Sequence, residues 1–171
     1  MEMKLIEAAQ DGMEEELRKI LEENKKIDVN WSGENGWTPL HYSCQHGDDK
    51  IVTLLLVHPH INVNQQSSAG STSFLIACMN GKRGCVRLLL KDAKVKVNEP
   101  TNRGYTPLWL APAGGHVEVI TWWIASGREI DLGQLGNKYT DAIAVAGEYG
   151  KTEWFPCWRD SGMIPKRPSM R

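Results

Sequence analysis

No stretch of this chain approaches the ~18 unbroken apolar residues that a membrane-spanning helix requires, and Met1-Glu2-Met3-Lys4-Leu5 lacks the apolar core of a secretory signal. Net charge is nearly absent as well. Twenty Lys and Arg stand against 21 Asp and Glu, for a balance of −1, which removes the global electrostatic case for nucleic acid or an anionic membrane as partner. Cysteine is scarce: Cys44, Cys78, Cys85 and Cys157 include no CxxC pair. Free thiols in a reducing cytosol or nucleus are therefore expected. The chain also has no HExxH, no P-loop, no GxGxxG and no set of nucleophile, base and orienting group. Catalysis, a bound metal and a cofactor are not expected. His58-Pro59-His60 reads as a helix-to-loop connection, since no further ligands lie near it in sequence.

What is present is periodic. Of 171 residues, 41% are hydrophobic and 24% charged, a composition that folds. Gly36-Trp37-Thr38-Pro39-Leu40-His41-Tyr42-Ser43-Cys44 returns 68 residues later as Gly104-Tyr105-Thr106-Pro107-Leu108-Trp109. Midway stands a weaker copy, Gly70-Ser71-Thr72-Ser73-Phe74-Leu75-Ile76-Ala77-Cys78. Gly47, Gly81 and Gly115 repeat the period of 34, with Gly12 and Gly150 one residue out of step at either end. Such a period sets the architecture before any other feature.

Within each unit the spacing predicts two helices. Thr38 is suited to the N-cap and Pro39 to the first helical turn, where a missing N–H costs nothing. Leu40, Ser43 and Cys44 share a face, and Gly47 ends the helix. Ile51, Val52 and Leu54 to Leu56 form a second, apolar helix, matched by Cys85 to Leu90 and by Val119 to Ile124. Trp122 and Trp123 are assigned to packing. Pro112 departs from the pattern, since an interior proline deletes a helical bond, at reduced cost near a helix end. Units are expected at about 1–30, 31–64, 65–98, 99–132 and 133–153, the first with a charged outer face fit to cap a stack.

After Glu153 the pattern stops, and residues 154–171 read as an irregular tail. One added guanine before permissible codons for Trp154 onward yields an amphipathic segment like a further second helix. A shifted reading frame and a naturally divergent tail both account for this.

The Thr-Pro-Leu-His motif at this period resembles the ankyrin repeat, over roughly residues 4–153. The resemblance implies an all-α solenoid of helix–turn–helix units joined by hairpin loops. It also implies a non-enzymatic module that binds another protein on the concave face of its hairpin tips and first helices. His41 is similar to the family's structural histidine, which braces the turn through the Thr38 hydroxyl, although Leu75 and Trp109 stand there in later units. Equivalent backbones in neighbouring units lie about 10 Å apart, beyond the ~7 Å limit for a disulfide, so Cys44 and Cys78 are expected as small core residues. The family's contact positions fall on Glu34, Asn35, Trp37, Gln45 and His46, on Ser68, Ser71, Met79 and Asn80, and on Asn102, Arg103 and Tyr105. Tyr139 and Tyr149 extend the row if a fifth unit folds. A cytoplasmic or nuclear monomer is expected; the alternative is a regulatory or targeting piece of a larger enzyme or assembly.

Overall fold

The computed structural model describes residues 1–131. Eight helices run through them: α1 (Glu2–Gln10), α2 (Glu14–Glu23), α3 (Pro39–His46), α4 (Asp49–Leu56), α5 (Ser73–Met79), α6 (Arg83–Lys91), α7 (Pro107–Ala113) and α8 (Val117–Ala125). They pair in order. The first helices α1, α3, α5 and α7 stack in one row, and the second helices α2, α4, α6 and α8 in another. The fifth unit, Tyr139, Tyr149 and the tail with its reading-frame question lie outside the described residues.

Local chemistry explains where the helices start and stop. Thr72 and Thr106 accept through their hydroxyls from the backbone N–H of Leu75 and Trp109, each at 3.2 Å, which satisfies an orphan donor of the first turn. Thr38 shares a capping box with His41. Gly47 closes α3 in the left-handed region, at φ 87°. Pro112 sits buried in the last turn of α7, where Leu110 still accepts from the Gly114 N–H at 3.0 Å.

The core runs the length of the stack. Leu5, Leu17, Leu40, Ile51, Leu55, Phe74, Leu89 and Trp123 are fully buried, and Phe74 meets Trp123 edge-on at 5.1 Å between ring centres. The three-residue apolar runs of the second helices do not bury whole. Leu55, Leu89, Leu90 and Trp123 are inside, Leu54, Leu56, Leu88 and Ile124 lie half in, and Trp122 is 41% exposed. The expectation that Trp122 packs inward with Trp123 is thereby corrected. Successive helical residues point about 100° apart, so three in a row cannot all face the core.

A polar clasp ties unit to unit along the loops. Asn30, Asn64 and Asn98, each 34 residues from the next, donate from the side-chain amide to the carbonyls of His60, Lys94 and Glu129 at 2.7, 2.7 and 3.2 Å. Their side-chain oxygens accept from the N–H groups of Asn62, Lys96 and Asp131 at 2.7, 2.8 and 3.1 Å. Arg128 adds a cationic cap, donating to the carbonyl of Leu90 in the last turn of α6 and to those of Asp92 and Val95 just beyond it.

Candidate functional site: the hairpin tips and first helices

The tips are joined by their own backbones. Ser68 N–H donates to the Asn35 carbonyl at 2.9 Å, and Asn102 N–H to the Ala69 carbonyl at 3.0 Å. Side chains reinforce the row: Ser68 Oγ reaches the Glu34 carbonyl at 3.4 Å, and the Asn102 amide donates to the Ser68 carbonyl at 3.0 Å. Tip glycines make this approach possible. Gly36 has φ 72°, and a Cβ there would stand 2.7 Å from the Ser68 nitrogen.

Two aromatic pairs flank the small residues of the middle unit. Trp37 lies 5.1 Å from Tyr42 between ring centres and 6.0 Å from His41. Tyr105 lies 4.6 Å from Trp109. All four large rings are half-buried. Asn35 holds the first pair in place, its side-chain oxygen accepting from the Trp37 N–H at 3.0 Å and its amide reaching the Tyr42 hydroxyl at 3.4 Å.

Beneath them His41 joins two units. Its Nδ1 accepts from the Thr38 N–H at 3.1 Å, with the Thr38 hydroxyl 2.8 Å away. The proton therefore sits on Nε2, which donates to the Ser71 carbonyl at 3.0 Å. Burial pushes the His41 pKa below its ordinary 6.5, against the opposite pull of the Ser71 and Gln65 backbone. Burial likewise pushes the Cys44 and Cys78 thiols well above 9.0, leaving them protonated and poorly nucleophilic.

The positions expected from sequence fall into two ranks. Glu34, Asn35, Ser68, Asn102 and Arg103 are exposed at the tips, with Trp37, Ser71 and Tyr105 half-buried beside them. Gln45, His46 and Met79 close α3 and α5, and Asn80 follows, at the opposite ends of those helices. Asn80 is turned back on its own helix, donating to the Ile76 carbonyl at 2.9 Å. Sequence reasoning passed over Tyr42 and Trp109 as ring partners. Their signal was an aromatic in the first helical turn, a few residues after Trp37 or Tyr105.

Among the described residues no three of His, Cys, Asp and Glu gather as metal ligands, and no helix is long and apolar enough to cross a membrane. A family model described as ankyrin repeats (3 copies) matches residues 3–67 and 56–134. No curated protein matches the chain.

Proposed function

Because the chain belongs to the ankyrin repeat family, we propose that it is a non-enzymatic scaffold that holds a protein partner against the concave face of its hairpin tips and first helices. Ankyrin repeats are in general protein–protein interaction modules, and typically not enzymes. The observation that carries the choice of face is the pair of braced aromatic clusters, Trp37 with Tyr42 and Tyr105 with Trp109. Aromatic residues and Arg dominate binding hot spots. Rings already fixed by neighbours lose little freedom when a partner settles on them. Arg103 and Glu34 at the tips add charges at the rim, where they set orientation more than affinity. Free, buried Cys44, Cys78 and Cys85 support a reducing compartment, and we take the protein to act there as a monomer.

Affinity capture followed by mass spectrometry tests this, comparing the natural chain with the Trp37→Ala/Tyr105→Ala double variant. A partner held by this face should be lost or weakened by about 2 kcal/mol or more, with the helical circular-dichroism signal kept. A partner captured equally well by both chains refutes the assignment.

A further inference from the structure

Charge is distributed unevenly along the stack. Residues 65–98 carry six lysines and arginines against one aspartate, whereas residues 1–30 carry nine acids against five bases. Arg83, Arg87 and Lys91 recur every four residues on α6, and all three are exposed. They therefore stand along one face of a helix about 13 Å long. No acid lies within α6.

That face borders an unusual surface. The Arg87 guanidinium sits 4.5 Å above the ring of Trp122, a large aromatic left 41% exposed. Arg87, Leu90, Lys91, Trp122, Ala125 and Ser126 line an open hollow of about 420 Å³ between α6 and α8. A smaller hollow of about 240 Å³ continues past Arg87 and Lys91 to Lys50 and Thr53 on α4. Lys50 is already paired with Glu14 at 3.0 Å and Arg83 with Glu118 at 3.9 Å, so the attraction for an anion centres on Arg87 and Lys91. The groove has an apolar floor and cations on its rim.

We propose that this groove, on the row of helices away from the hairpin tips, docks an acidic segment of a partner protein. Carboxylates at helical spacing meet Arg87 and Lys91, and an apolar side chain seats on Trp122. Charge complementarity selects this occupant. A guanidinium held on an indole still has N–H groups to offer a carboxylate. The cationic stripe is one short helix long, and Asp49 borders it on one side and Glu118 on the other. A cationic face this short meets only a few anions, as an acidic peptide presents, whereas nucleic-acid sites extend over many phosphates.

The test uses the full chain and a fluorescent helical peptide of roughly three turns, bearing Glu at four-residue spacing beside Leu. Arg87→Ala and Trp122→Ala should each weaken binding about tenfold, and added salt should weaken it further. An Arg87→Glu chain should prefer the same peptide with Lys in place of Glu, a gain that damage to the fold cannot produce. Trp37→Ala/Tyr105→Ala should leave peptide affinity unchanged, which separates this site from the one proposed above. Equal affinity of the Arg87→Glu chain for both peptides overturns the proposal. So does tighter binding of a single-stranded oligonucleotide of equal length, or loss of the peptide in the Trp37/Tyr105 variant.

Discussion

His41 is a buried polar residue that ties two units together. It closes a capping box within its own unit and reaches a carbonyl of the next. Protonating Nδ1 would set it against the Thr38 N–H, and burial already disfavours the charge. Above the ordinary value of 6.5 His41 is neutral in folded and unfolded chains alike, and its contribution is complete. As pH falls below that value, the unfolded chain takes up a proton that the folded one resists, and stability declines through the depressed folded pKa. Melting temperature should therefore drop more steeply on acidification in the natural chain than in His41→Gln; parallel curves would show that His41 is not the group responsible. The glycines offer a second test at this scale. Gly36 and Gly47 both have positive φ, 72° and 87°, so alanine costs about 1–2 kcal/mol at either on conformation alone. Their neighbours differ. A Cβ at Gly47 meets the flexible Lys82 side chain, but at Gly36 it meets the Ser68 backbone. Gly36→Ala should lose clearly more stability in urea titrations.

Individual elements are short, seven to ten residues, below the length at which an isolated helix persists in water. Each depends on its cap and on the next unit. The asparagine clasps illustrate this. Asn64 bonds both ends of a two-residue step in the following loop, at 2.7 and 2.8 Å. Asn64→Ala should cost about 1–2 kcal/mol. Asn62→Ala should cost less, since the Asn62 side-chain oxygen makes a local bond to the Asn64 N–H at 3.2 Å. Comparing their thermal melts checks the contrast. The 34-residue spacing of Asn30, Asn64 and Asn98 was visible in the sequence, yet it gave no hint of a clasp. The carbonyls and N–H groups it holds belong to the backbone, which every residue has.

At the scale of the molecule, stability resides in contacts between neighbouring units, because no unit can cover its own apolar face. Phe74 lies on a first helix of one unit and meets Trp123 on the second helix of the next. Phe74→Ala should remove about 3–5 kcal/mol, a large share of the 5–15 kcal/mol typical of a whole domain. Leu54→Ala, on a half-buried residue of the same apolar pattern, should remove much less. Denaturant midpoints distinguish the two. The row of tips is also a product of stacking: Asn35, Ser68 and Asn102 become one edge when their units align.

The period of 34, the Thr-Pro-Leu start and the glycine stops were legible in the chain. Caps and left-handed turns are set by residue types a few positions apart, and the helix pairs followed from them. The candidate face was proposed in part from the sequence, since the resemblance to the ankyrin repeat, set in register, pointed to Trp37 and Tyr105. Tertiary structure decided which of two adjacent tryptophans faces the core: Trp123 is buried, and Trp122 lies open under Arg87. It also supplied Tyr42 and Trp109 as ring partners and the backbone links between tips. Local sequence reports how a segment folds on itself, whereas burial and cross-unit bonds depend on the surface that the next unit presents.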